Sequence, residues 1–184
     1  MFKLLRNASA LTAIRAGTML AVLYIASWKM ETGVLYWGII LAVFGSIVQI
    51  TSLNLNHSMA VVFVSWNDSL QKSAVSQIVL FRMIFGVGLF VYGIGSDALM
   101  GLDLIGHWLL FFGVLFRLVF DSLYGYARAI IRQDVMGLMT ILESLVLLGG
   151  LLLASTYSST SVDFKIFTII VLATYLSGSV LGLR

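Results

Sequence analysis

Residues 104–126 read LIGHWLLFFGVLFRLVFDSLYGY. As a helix this run is long enough to cross a hydrocarbon core about 30 Å thick, which takes roughly 20 residues. Most of the run is apolar, and its charged residues Arg117 and Asp121 recur with Tyr124 at helical spacing, which places them in one row. Lipid contains no water to satisfy free backbone groups, so the run predicts a transmembrane α-helix with its polar row turned toward other helices.

The whole chain has the composition of a membrane protein. Of its 184 residues, 60% are hydrophobic and 10% are charged, whereas charged residues make up about a quarter of a soluble domain. Further apolar runs occupy residues 11–28, 33–53, 75–95, 135–155 and 165–183. Together with 104–126 they predict an all-α integral membrane protein, a bundle of about six transmembrane helices forming a single transmembrane domain over residues 1–184.

The basic residues predict the orientation of this bundle, because Lys and Arg are retained on the cytoplasmic side during insertion. With the N-terminus inside, only Lys29 and Lys165 lie outside. The residues on or toward the cytoplasmic side are Lys3, Arg6, Arg15, Lys72, Arg82, Arg117, Arg128, Arg132 and Arg184. We therefore expect both termini in the cytoplasm and a multi-pass protein of a bacterial inner membrane.

Residues 54–73 form an ambiguous connection between the second and third spans. Their apolar core, residues 59–66, is too short to cross the membrane as a helix. Trp66, followed by the polar Asn67 and Asp68, favours a position at the level of the lipid headgroups. We expect a short interfacial segment that does not cross.

Several kinds of chemistry are disfavoured by composition. The chain has no Cys, which removes disulfides and thiolate sites, and its net charge of +3 is too small and scattered for nucleic-acid binding. The cluster Asp97, Asp103 and His107 resembles a metal-ligand set, but such short Gly-containing loops are more often solvated turns. Motifs such as HExxH, GxSxG and the P-loop are absent from the sequence. We therefore expect that the chain is not an enzyme and that it binds no cofactor and no metal.

One stretch carries a family resemblance. The sequence DSLYGYAR at residues 121–128, followed by Gly137, loosely resembles the signature of CDP-alcohol phosphatidyltransferases. The resemblance implies a lipid-phosphate transferase that binds metal and activates its alcohol with four aspartates. Here Tyr124 stands in place of the second aspartate, and Ile141 and Leu145 stand in place of the last two. Without those carboxylates neither the metal nor a general base is assembled, so this activity stays a remote alternative.

Ionisable residues within the spans are the candidate functional residues, because a charge in lipid costs several kcal/mol unless it is paired or faces protein. The candidate network consists of Arg15, Arg82, Arg117, Asp121, Tyr124, Arg128 and Glu143. The i, i+4 spacing predicts that Arg117 and Asp121 pair, with Glu143 as a further partner. A structural interpretation is an ion-pair network that fixes helix packing. A functional one is a cytoplasmic vestibule for an anion or lipid headgroup, or a charged gate.

These observations lead to two functional hypotheses. The first is a non-enzymatic polytopic membrane subunit in the lipid bilayer that associates with itself, as a homo-oligomer, or with other membrane proteins. Forming or gating an ion or small-solute pathway is one role open to such a subunit. The alternative is a self-contained transporter or channel for a small anionic solute, with the Arg-rich cytoplasmic-side cavity as its binding site.

Overall fold

The computed structural model describes residues 8–29, 33–52, 55–94, 104–130, 132–157 and 164–182, and every regular element within these ranges is helical. Six helices are long and one is short. In chain order they are α1 (Ala8–Lys29), α2 (Gly33–Ser52), α3 (Leu55–Val62), α4 (Asp68–Ile94), α5 (Leu104–Ala129), α6 (Gln133–Tyr157) and α7 (Phe164–Gly182). A single 3-10 turn, Phe63–Ser65, follows α3.

Five of the long helices, α1, α4, α5, α6 and α7, are long and apolar enough over their described residues to cross a membrane. In α2 the corresponding apolar part is the shorter segment Trp37–Ser52. Each of the six long helices overlaps one of the six predicted apolar runs, since a hydrophobic run must satisfy its backbone within itself if it is to enter lipid. The protein is therefore a helical bundle with the architecture of a multi-pass membrane protein.

The start of α4 differs from the prediction. The sequence pattern placed residues 68–73 in the interfacial segment and the third span near residue 75, whereas α4 begins at Asp68. The reason is a cap: the Asn67 side-chain oxygen accepts a 3.0 Å hydrogen bond from the backbone N–H of Leu70. Asp68 adds a negative charge in the first turn, where the helix dipole favours it. These polar residues extend the helix without extending the apolar run.

The connection between α2 and α4 packs against the bundle. Met59 of α3 and Phe63 of the 3-10 turn are both buried. The Phe63 ring lies edge-on to Tyr126 of α5, with 6.0 Å between centroids, and stacks on Trp66. The segment therefore covers the C-terminal end of α5 and has its own apolar anchors there.

α5 is the central helix, because it contacts α2, α3, α4, α6 and α7. Glycines allow two of these contacts to be close. A Cβ at Gly113 of α5 would lie 2.5 Å from the Phe44 ring of α2, and a Cβ at Gly178 of α7 would overlap the Phe120 ring of α5. Side chains that α5 carries at mid-membrane level therefore face protein on several sides.

Candidate functional site

The polar row of α5 divides into two parts. Arg117, Asp121 and Tyr124 are half-buried between helices, as expected of charges that avoid lipid. Arg128, one turn further on, is exposed and forms no ion pair with any residue that the structure describes. Arg132, just beyond the helix, is exposed and pairs with Asp134 at 3.2 Å.

Glu143 of α6 is the centre of the first group of charges. The exposed fraction of its side chain is 5%, and its two oxygens accept hydrogen bonds from different helices. Arg15 Nη2 of α1 donates to Oε2 at 2.9 Å, and Arg117 Nη1 of α5 donates to Oε1 at 3.4 Å. One carboxylate thereby connects α1, α5 and α6. A further link between α1 and α6 is the 2.8 Å hydrogen bond between the Thr18 and Ser144 hydroxyls.

Aromatic rings cover the two arginines of this group. The Arg15 guanidinium lies 4.1 Å from the centroid of the Tyr124 ring. The Arg117 guanidinium lies 4.6 Å from the centroid of the Tyr175 ring on α7 and 5.7 Å from that of Phe120. Such contacts contribute about 2 kcal/mol when they are desolvated. Tyr175 was not among the predicted site residues, because a tyrosine in an apolar helix carries no sequence signal of a cation above it.

Arg82 of α4 is the centre of the second group, and its side chain has no exposed surface. Its Nη2 lies 2.8 Å from Asp121 Oδ2 and also donates to the Val48 carbonyl of α2 at 3.3 Å. Its Nη1 donates to the Ser122 hydroxyl at 2.9 Å. The group connects α2, α4 and α5. Sequence reasoning missed Ser122 and the Val48 carbonyl, since neither is charged.

The ion pairs of the charge network run between helices, whereas the sequence spacing pointed to a pair within α5. Arg117 pairs with Glu143, and Asp121 pairs with Arg82. Long guanidinium side chains reach across a helix interface, so the neighbouring helices offer partners at distances as short as those along one helix. All the predicted network residues except Arg128 are thus brought into two adjacent groups that share α5.

The two groups differ in charge. Arg82 and Asp121 balance, whereas Arg15 and Arg117 face the single carboxylate of Glu143, which leaves one positive charge in excess. Three buried polar atoms in or near the two groups, Arg15 Nε, Thr140 Oγ1 and Arg82 Nε, have no hydrogen-bond partner among the described residues. The excess charge and two of these atoms, Arg15 Nε and Thr140 Oγ1, belong to the group around Glu143, and the third atom belongs to Arg82.

Two groups of residues are considered for metal binding from the sequence, the cluster of two aspartates with His107 and the phosphatidyltransferase-like stretch. Asp97 and Asp103 lie outside the described residues, and His107 lies in the first turns of α5. Within the described ranges, no three His, Asp or Glu side chains come together as a metal-binding group. In the stretch that resembles the phosphatidyltransferase signature, Asp121 is paired with Arg82 and Tyr124 lies beneath Arg15.

No family model, curated protein or solved structure matches the chain.

Proposed function

We propose that the chain is a non-enzymatic polytopic membrane subunit, a helix bundle held together by its intramembrane charges, which associates with itself or with other membrane proteins. The topology proposed is six spans with both termini in the cytoplasm of a bacterium and the bundle in its inner membrane. Its partners are the lipid bilayer and neighbouring transmembrane helices.

The proposal rests on one observation, namely that protein groups surround and bind the intramembrane charge of Arg82. Arg82 is fully enclosed, and its guanidinium donates to Asp121, Ser122 and the Val48 carbonyl. A site that binds and releases a solute needs polar groups that are open to exchange with that solute. The two terminal nitrogens of Arg82 are thus engaged by protein, and Nε is its one nitrogen without a partner among the described residues. This engagement favours a structural role, in which charges determine the packing of α2, α4 and α5.

The proposed topology is supported by the level at which the charges meet. Arg15 and Glu143 lie roughly 10–15 Å from the starts of α1 and α6, at 1.5 Å per residue. Arg117 lies in the second half of α5, and it reaches the same carboxylate. Helices that alternate in direction meet at a common level in this way, and an even number of them returns the chain to its starting side.

Association is supported by the outer face of α2. Gly38, Ala42 and Gly45 are exposed there, and a Cβ at either glycine would meet no atom within 4 Å. Small residues at such spacing let a second helix approach closely in lipid, where van der Waals packing replaces the hydrophobic effect. The proposed contact is therefore helix against helix along α2.

The chain has no native Cys, so single cysteines test the contact directly. Ala42→Cys in native membranes is expected to form an oxidised dimer, or a cross-link to a co-purifying membrane protein. Gly17→Cys is the matched control, because Gly17 is exposed on α1 with open space around it. If Ala42→Cys stays monomeric and no membrane protein co-purifies in stoichiometric amount, the proposed association is wrong.

A second candidate function, an anion pathway, is favoured by the excess positive charge of Arg15 and Arg117 over Glu143. Purified protein in liposomes tests it, with chloride efflux as the measurement. The pathway predicts efflux that Arg117→Gln abolishes and Arg128→Gln leaves intact, because Arg128 lies outside the network. Efflux no faster than in protein-free liposomes would contradict it and leave the subunit hypothesis.

A further inference from the structure

An open cleft of about 960 Å³ lies at one end of the bundle. Four helices reach it there: α4 and α6 begin, and α5 and α7 end. Its volume is within the range of small-molecule sites, about 300–1,000 Å³. Helix ends of a transmembrane bundle lie near the boundary between hydrocarbon and water, so the cleft opens at the level of the lipid headgroups.

The charged residues of the lining all lie at the mouth of the cleft, among apolar ones, and its deepest part is apolar. Asp68 and Lys72 of α4 and Arg132 after α5 lie at the mouth, whereas Val79 of α4 and Val119 of α5 lie deeper. From Asp68 to Val79 the axis of α4 advances roughly 16 Å, at 1.5 Å per residue. The charged mouth and the apolar depth of the cleft follow the same order, over about the same length, as a lipid headgroup and the first part of its acyl chain.

One wall of the cleft is held in place by a side chain that is already engaged. Gln71 Nε2 donates to the carbonyls of Phe63 at 2.8 Å and Trp66 at 2.9 Å. These bonds tie the first turn of α4 to the 3-10 turn, which brings Phe63 against the cleft. The cleft is therefore formed by the fold before any ligand enters.

The mouth presents two basic side chains that an anion can reach. Lys72 forms no ion pair with the described residues, and Arg132 pairs only with Asp134, in an ion pair whose two side chains are about half exposed. Exposed pairs of this kind are weak, so the guanidinium is available to a phosphate. Two acids lie near Lys72 and Arg132, namely Asp68 in the lining and Asp134 beside it, so an anion would be held by direct contact with the two basic side chains and not by net charge.

We propose that this cleft binds a phospholipid with an anionic headgroup, whose phosphate lies between Lys72 and Arg132 and whose acyl chain follows the groove between α4 and α5. The charge network is not involved, because none of its arginines lines the cleft. The lipid site is thus separate from the proposed association along α2 and from the anion pathway.

The headgroup is tested with purified protein in mild detergent, by native mass spectrometry during titration with phosphatidylglycerol or phosphatidylcholine. Phosphatidylglycerol is expected to bind more tightly. Each basic side chain near the surface contributes about fivefold to the affinity for anionic lipid, so the double variant Lys72→Gln with Arg132→Gln is expected to lose about tenfold or more. Arg128→Gln is the matched control, as an exposed arginine at the same end that does not line the cleft.

A separate variant tests the part of the cleft that would hold the acyl chain. Ser76→Trp places a large side chain at an exposed position of the lining, whereas Ser73→Trp does so at an exposed position outside it. We expect Ser76→Trp to weaken binding of both lipids and Ser73→Trp to leave it unchanged. Because both positions are exposed, neither variant disturbs the core.

Three results would overturn the proposal. Equal affinity for the two lipids removes the headgroup site, and so does equal loss in Arg128→Gln and the double variant. Displacement of the lipid by inorganic phosphate at the same concentration would show a site for free phosphate anions. Failure of the cross-linking at Ala42 bears on association alone and leaves this site untouched.

Discussion

Asp121→Asn is the perturbation that tests most directly how the charges are paired. It replaces the Asp121 carboxylate, one oxygen of which lies 2.8 Å from Arg82 Nη2, with a neutral amide of the same shape. Arg82 keeps its charge, because a guanidinium is not deprotonated in proteins. The variant therefore leaves a positive charge, enclosed on all sides, without its anion.

The magnitude follows from the burial of the pair. Removing one partner of a buried ion pair costs about 3–5 kcal/mol. The lower end applies here, because 22% of the Asp121 side chain is exposed and because Ser122 and the Val48 carbonyl still accept from Arg82. On the scale of 2–4 °C per kcal/mol for chains of this size, a loss of about 3 kcal/mol lowers the melting temperature by about 6–12 °C.

The assay is fluorescence-detected size-exclusion chromatography after heating in detergent, with double variants that identify the partner. Arg82→Gln with Asp121→Asn is expected to recover at least half of the loss, because no lone charge remains. Arg117→Gln with Asp121→Asn is expected to recover none, because Arg82 is still unpaired. Asp134→Asn, in the exposed pair with Arg132, is the control and should change the melting temperature by about 4 °C or less.

The reasoning is refuted if the recovery follows Arg117 and not Arg82, since the pair would then lie within α5 as the sequence spacing predicted. It is also refuted if Asp121→Asn matches the Asp134→Asn control. The second result would mean that the row on α5 does not face the protein interior.

Two further predictions come from the structure and one from the distribution of basic residues. Glu143→Gln leaves two arginines without their shared carboxylate, so it is expected to destabilise the protein at least as much as Asp121→Asn does in the same assay. A melting temperature within about 2 °C of that of the unmodified protein would contradict this. Gly178→Ala is expected to cost about 1–3 kcal/mol of stability, because the added Cβ would overlap the Phe120 ring. Gly88→Ala has open space around it and should be neutral or slightly stabilising. Equal melting temperatures of the two variants would show that α5 and α7 are further apart than in this structure. A reporter that is active only in the cytoplasm is expected to be active at either terminus, and activity at one end alone would exclude an even number of spans.

The helices were predictable because lipid imposes a simple rule. Each apolar run must bond its backbone internally, so the run and the helix nearly coincide, as for residues 33–53 and α2 or 165–183 and α7. The rule fails where a helix extends into the interface. At Asp68 the helix begins with polar residues, and the signal was the capping residue Asn67 and not hydropathy.

Membership of the charge network was also largely predictable, because charges in apolar runs are rare and must be buried together. The partners were not. Spacing along α5 suggested Arg117 with Asp121, yet the ion pairs of the structure join Arg117 to Glu143 and Arg82 to Asp121. The neutral members, such as Ser122 and Tyr175, contribute hydrogen bonds and ring faces that no composition rule singles out.

Sequence by itself determined which segments become helices and which side chains must avoid lipid, because both follow from the free energy of transferring each residue into hydrocarbon. Tertiary structure alone decided which of those side chains meet. The rotation and height of each helix depend on close contacts such as Gly178 against Phe120, and these contacts bring Glu143 between two arginines and enclose Arg82. A pairing between helices depends on distances in space that spacing along the chain does not contain.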